Sequence, residues 1–188
     1  MTTPPTHLPR RVRGFTLIEM LIVLTIAGIL SGVAFPSLAA VVDSIRMRSI
    51  ANEFLSSMHL ARAEAIKRNG RVALCKSMDG NVCAATGDWG QGWIVFHDAD
   101  NDGAAEIGEQ VIQRVQALPA GFRLSGNHLL SRYISFSPTG TTRTVGGAFQ
   151  AGTVTLCKAS ASSSEGREVV LNNVGRMRVN KIKVADCA

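Results

Sequence analysis

The sequence predicts an α+β fold, a long N-terminal helix laid on an antiparallel β-sheet domain, and three observations predict it. An apolar run from Phe15 to Val42 holds a single ionisable side chain, Glu19. Between Met47 and Ala65 the apolar residues recur at steps of three and four, and from Arg71 onward the period falls to two. Aromatics make up only 5% of the chain while glycines number 18, a composition that suits short strands joined by many turns.

Taken in order, residues 1–14 are polar, rich in Pro and Thr, and basic through Arg10, Arg11 and Arg13, so they read as a leader outside the fold. Residues 15–42 follow as an apolar helix. At 1.5 Å per residue about 20 such residues cross a hydrocarbon core, which predicts a membrane span. Three arginines precede it and no basic residue follows until Arg46, an asymmetry that keeps the N-terminus cytoplasmic and places the remainder across the membrane. Glu19 lies in the first turn of this helix, where an unpaired charge is costly, so it needs a partner. A new α-amino group at Phe15 would supply one: if the chain were cut between Gly14 and Phe15, the terminus of one subunit could pair with Glu19 of its neighbour. Pro36 lacks an N–H and crowds the preceding turn, which predicts a bend or an open turn near Gly32–Pro36.

Residues 43–69 continue as an amphipathic helix with Met47, Ile50, Phe54, Met58, Ala61 and Ala65 on one stripe. Asn69-Gly70 ends it, with Gly expected in the left-handed position. Residues 70–188 form the β-rich domain. Its predicted strands are Val72–Lys76, Gly92–His97, Val111–Val115, Arg123–Leu124, Tyr133–Phe136, Thr153–Lys158, Glu168–Leu171 and Met177–Val184. Ser160–Gly166 reads as a hairpin tip.

Charge is segregated along the chain. Residues 79–109 hold seven acidic and no basic side chains, whereas residues 110–188 hold ten basic against three acidic. The four cysteines all fall on the exported side, and their even number points to two disulfides in an oxidising compartment. Of the three possible pairings, Cys75 with Cys83 and Cys157 with Cys187 is favoured, the first closing a short loop and the second tying the C-terminus to a strand.

The run Gly14-Phe15-Thr16-Leu17-Ile18-Glu19, the short basic leader before it and Pro36 within the apolar helix together resemble the type IV prepilin signature. In that family a prepilin peptidase cuts after the glycine and methylates the new terminus. The resemblance therefore implies that Gly14 is the cleavage residue, Phe15 the methylated terminus and Glu19 the assembly glutamate. Further along, Arg62–Val72, Gly90-Gln-Gly-Trp-Ile-Val-Phe96 and Ile134-Ser-Phe-Ser-Pro-Thr-Gly140 are similar to the FimT/FimU and GspH branch of minor pilins and minor pseudopilins. The type IV pilin-like fold, assembly with other pilins and minor pilins, and an inner-membrane stage before the pilus reaches the cell surface are what this resemblance implies.

Two stretches carry candidate chemistry. Asp98, Asp100 and Asp102, then Gly103 and Glu109, satisfy the one, three, five, six and twelve spacing of a calcium loop; an ordinary Asp- and Gly-rich hairpin turn is the competing reading. Ca²⁺ is the one cofactor the sequence suggests. The other stretch is Gly175-Arg176-Met177-Arg178-Val179-Asn180-Lys181-Ile182-Lys183. Alternation along an extended segment puts Arg176 and Arg178 on one face, about 7 Å apart, a spacing that matches successive phosphates of a nucleic acid. Arg143, Arg167, Lys181 and Lys183 widen the patch, Asn172 and Asn173 add hydrogen bonds, and no neighbouring carboxylate within the segment neutralises it. A cation-guarded edge strand is the alternative. Gly-Arg-x-Arg at this place resembles the DNA-binding motif of FimT proteins in natural transformation, which implies non-specific binding of double-stranded DNA during uptake. Without DNA binding, the same chain reads as a structural pilus-tip subunit or as the H minor pseudopilin of a type II secretion system. His7, His59, His97 and His128 accompany no nucleophile elbow and no metal-ligand spacing, so no enzyme is expected.

Overall fold

The computed structural model describes residues 14–159, 164–185 and 187, with the side chains of all of these except 33–37 and 164. The leader up to Arg13 and the hairpin tip at 160–163 lie outside the described residues. One helix, α1 (Leu17–Arg68), precedes eight strands: β1 (Val72–Lys76), β2 (Trp93–His97), β3 (Val111–Val115), β4 (Phe122–Gly126), β5 (Tyr133–Phe136), β6 (Gly152–Lys158), β7 (Ser164–Leu171) and β8 (Met177–Val184). The chain divides into two compact units at Asp43 and Ser44.

In the first unit α1 begins with a reciprocal cap. The Thr16 backbone N–H and hydroxyl both donate to Glu19 Oε2 at 2.9 Å, and the Glu19 N–H donates to Thr16 Oγ1 at 3.3 Å. Thr16 and Glu19 thus satisfy donors that a helix start leaves unpaired. The Glu19 carboxylate thus has hydrogen-bond partners within its own chain. Large apolar side chains from Leu17 to Leu30 are exposed. Among the described residues, no helix is long and apolar enough to cross a membrane. α1 stays helical through Pro36, so no turn opens there.

The second unit is built on the remainder of α1. Met47, Ile50, Phe54, Met58, Ala61 and Ala65 are all buried, as their three- and four-residue spacing requires. Asn69, not Gly70, takes the left-handed conformation, at φ 49°. The Gly70 N–H bonds the Ala65 carbonyl and the Asn69 N–H bonds that of Ile66, so the last carbonyls are satisfied in a Schellman arrangement. A Cβ at Gly70 would lie 2.9 Å from His97 Nε2, so a larger residue there would require the imidazole to shift.

The strands form two antiparallel four-stranded sheets, ordered β3-β2-β1-β5 and β4-β6-β7-β8. One core joins α1 to both sheets. At its centre Phe54 meets Trp89 and Trp93 edge-on, with ring centroids 5.2 and 5.1 Å apart. The indole N–H groups are satisfied by the Leu130 carbonyl and by Ser57 Oγ, which lets both rings be wholly buried without an orphan donor. A smaller cluster of Ala73, Cys75, Ile94, Phe96 and Ala105 covers the other face of the first sheet. β1, β3, β5 and β8 have the predicted bounds. β7 is longer than predicted: Ser164–Gly166 belong to the strand, because Gly166 pairs with Cys157 on one side and Ile182 on the other.

Disulfides join Cys75 to Cys83 and Cys157 to Cys187. The first closes the loop after β1, where Asp79 accepts the N–H groups of Asn81 and Val82. The second ties the end of the chain to β6.

Candidate functional site

The basic segment is shaped by the turn before it. Asn172-Asn173-Val174-Gly175 joins β7 to β8, with the Gly175 N–H bonded to the Asn172 carbonyl and the Arg176 N–H to Asn172 Oδ1 at 2.8 Å. Gly175 has φ 73°, and a Cβ there would sit 2.1 Å from the Gly140 carbonyl oxygen. Arg62 of α1 reaches the same turn, donating from Nη1 to the Gly175 carbonyl at 2.9 Å and from Nη2 to that of Val174 at 3.4 Å. The glycine of Gly-Arg-x-Arg is therefore required by the turn, and the helix anchors the turn from behind. Sequence reasoning missed Arg62 and Gly140, because 113 residues separate Arg62 from its partner Gly175.

β8 is the edge of its sheet. Leu171 pairs with Met177 and Val169 with Val179, and these four face the core. Alternation then turns Val170 and Arg178 outward. Arg176, Arg178, Asn172, Val170 and Met177 line a surface groove of about 570 Å³. Both guanidiniums are exposed, and among the described residues neither is in an ion pair.

Lys181 and Lys183 differ. Three and five residues beyond Arg178, they have the parity of Met177 and Val179, so they leave the arginine face. Lys181 is ion-paired with Glu165 of β7, whose carboxyl it holds below the usual carboxylate range by a direct hydrogen bond, and Lys183 lies opposite Glu165 in the register. The expectation that no carboxylate neighbours the segment is corrected here: Glu165 is distant along the chain but adjacent across the sheet. Arg143 is engaged within its own hairpin, where Nη1 donates to the Gly147 carbonyl and the guanidinium lies 4.2 Å from the Phe149 ring centroid. Arg167 lines a separate groove with Arg48, Asn52 and Val179. The residues brought together are thus Arg176, Arg178 and Asn172. Asn173 contributes through its backbone, its carbonyl accepting from the Thr142 N–H.

The acidic loop between β2 and β3 gathers Asp98, Asp100 and Asp102, with a carboxylate oxygen from each within 4.8 Å of the others. Asp98 is buried, only 1% exposed, and neither of its oxygens has a hydrogen-bond partner. Burial pushes its carboxyl up to about 6; the Gly103 N–H pulls the other way without reaching hydrogen-bond geometry, and Glu109, Asp102 and Asp100 add to the rise. Glu109 stands outside the gathered three. Its two oxygens accept the N–H groups of Ala99 at 2.7 Å and Glu106 at 3.2 Å, so it latches the loop rather than joining the cluster. Gly14 and Phe15 are exposed at the start of the described chain.

Residues 51–175 match the family described as Type II transport protein GspH, and residues 9–35 match the prokaryotic N-terminal methylation motif. The chain belongs to the GspH family. This GspH-family chain is a minor type IV pilin or pseudopilin carrying the N-methylation motif, a structural subunit of a kind that assembles with other pilins, and not an enzyme. Its sequence is 28% identical over 176 residues to the pilin-like protein PilA1 of Thermus thermophilus, covering 89% of this chain and 97% of that one. The type IV minor pilin FimU of Pseudomonas aeruginosa shares the fold in two crystal forms. The TM-scores are 0.58 and 0.54 at 17% identity, with 78% and 75% of this chain covered and 98% and 99% of the other.

Proposed function

We propose that this GspH-family subunit is processed after Gly14 by a prepilin peptidase, held in the inner membrane by residues 15–42, assembled into a type IV pilus, and used there to bind double-stranded DNA for uptake. The exposed apolar side chains from Leu17 to Leu30 support a segment that is covered by lipid or by neighbouring helices. Because both cap bonds of Glu19 go to Oε2, Oε1 is left for the α-amino group of a neighbouring Phe15. The observation that carries the DNA reading is the pair of exposed guanidiniums, Arg176 just before the edge strand β8 and Arg178 within it, neither in an ion pair among the described residues, beside Asn172. Each can take a phosphate at the spacing of the backbone, and nothing in the turn or strand presents a helix to a groove, so binding is electrostatic and independent of sequence.

The chain from Asp43 onward should bind double-stranded DNA with micromolar or weaker affinity. Replacing Arg176 and Arg178 together by Ala should remove most of it and lower the slope of log K against log salt by about two phosphate contacts. The same double variant should fold as the parent does, and in cells it should lose transformation while pili still assemble. Binding as tight as the parent's, or transformation lost only together with pili, would leave a purely structural subunit of the pilus tip or of a type II secretion system.

A further inference from the structure

The β2–β3 loop is the one place on the described chain where negative charge is gathered and left uncompensated. Asp98, Asp100 and Asp102 bring oxygens within 4.8 Å of one another, and among the described residues no Lys, Arg or His pairs with any of them. Two of the three are exposed, but Asp98 is 1% exposed with both oxygens unbonded and within reach of the other two carboxylates. A buried carboxylate with no donor and two like charges beside it is disfavoured unless a cation completes the site.

The loop around it is held ready. The Asp98 N–H bonds the Arg71 carbonyl, and Glu109 clasps Ala99 and Glu106 across the loop. The far side rests on the Cys75–Cys83 disulfide, where the Ala105 N–H lies 3.1 Å from Cys83 Sγ, and Gly103 at φ 74° packs against the Tyr133 ring. Glu109, bonded to two backbone N–H groups, lies outside the gathered carboxylates, and Cys83 is already in a disulfide, so neither belongs to the ligand set.

We propose that this loop binds one Ca²⁺, with the carboxylates of Asp98, Asp100 and Asp102 as its side-chain ligands and Glu109 as a positioning residue that holds the loop closed. The donor set is oxygen alone, which suits a hard cation. Three carboxylates on an irregular loop leave several positions to backbone carbonyls and water, a mixed shell that Ca²⁺ accepts more readily than the smaller Mg²⁺, which demands a near-ideal octahedron. The site is independent of the arginine groove.

The test is calorimetric titration of the full oxidised chain in detergent, freed of metal, with CaCl₂ and separately with MgCl₂, alongside thermal unfolding. One saturable calcium site is expected, on the order of 10⁻⁴–10⁻³ M, as for extracellular modules. Calcium should also raise the unfolding temperature. The exposed double variant Asp100→Asn, Asp102→Asn should weaken binding by at least about tenfold, since it removes two of three charged ligands, while unfolding in chelator no earlier than the parent. Asp98→Asn should abolish the calcium heat and be at least as stable as the parent in chelator, because it removes the unpaired buried charge. The assignment is overturned by no saturable heat up to about 10 mM, tenfold above that range. An equal response to magnesium, or unweakened binding by the double variant, overturns it as well.

Discussion

Gly175 meets two requirements at one position, a left-handed backbone and a gap of 2.1 Å where a Cβ would meet the Gly140 carbonyl. Gly175→Ala should therefore cost about 1–3 kcal/mol of unfolding free energy, measured by denaturant titration, and should weaken DNA binding although no charge is lost. Asp79 makes a different kind of local demand. The N–H groups of Asn81 and Val82 hold its carboxyl below the ordinary value, with Ser77 adding to them against a little desolvation. Because the folded state favours the ionised form, this stabilisation is present above the unfolded value of 3.8 and is lost as pH falls through the lower folded one. Stability measured from pH 5 to pH 2 should fall less steeply in Asp79→Asn than in the parent. The turn chemistry of both residues was legible in the sequence. The partners were not: Arg62 and Gly140 meet Gly175 only in space, and no local pattern encodes that contact.

At the scale of elements, four of eight strands have the bounds their alternation predicts, because a strand with one face on a core must repeat every two residues. The C-terminal hairpin extends the argument. β8 lies on a sheet edge, so among the described residues no further strand pairs with its outer row, and the Cys157–Cys187 bond closes a 30-residue loop that returns the chain end to β6. Replacing both cysteines by Ser should lower stability by about 3–4 kcal/mol on the chain-entropy scale, read as a fall in the denaturant midpoint. Hydrogen exchange in β8 should quicken more than in β1, which is paired on both sides. The length of β7 was not legible, because Ser164, Glu165 and Gly166 have turn-like side chains. Pairing with β8, joined at Gly166 by pairing with β6, outweighs that weak local preference.

For the molecule as a whole, the processing and assembly roles proposed for Gly14, Phe15 and Glu19 are separable from the binding role proposed for the β8 edge. Gly14→Ala should leave the leader attached, seen by mass spectrometry as a chain too heavy by about 14 residues, since the cleavage site is the residue before the new terminus. Glu19→Ala should insert normally but fail to enter filaments, and it should also lose the reciprocal cap with Thr16. Normal incorporation of both variants into pili, scored by immunoblot of sheared filaments, would remove the processing and assembly roles.

The sequence by itself determined the helix, its buried stripe, the strands and the short motifs at Gly14–Glu19, Asp98–Glu109 and Gly175–Arg178, because each is written in neighbours along the chain at a helical, strand or loop period. Tertiary structure decided which charges are free. Glu165 reaches Lys181 only because β7 and β8 pair in that register, Arg143 turns to Phe149 within its own hairpin, and Glu109 spends both oxygens on backbone N–H groups. Asp98 became the buried member of the acidic loop only when β2 was placed inside the sheet. Coulomb interactions and burial depend on distance through space, which a list of residues does not contain, so the sequence could nominate six basic and four acidic side chains but not say that two of the first and three of the second stand together.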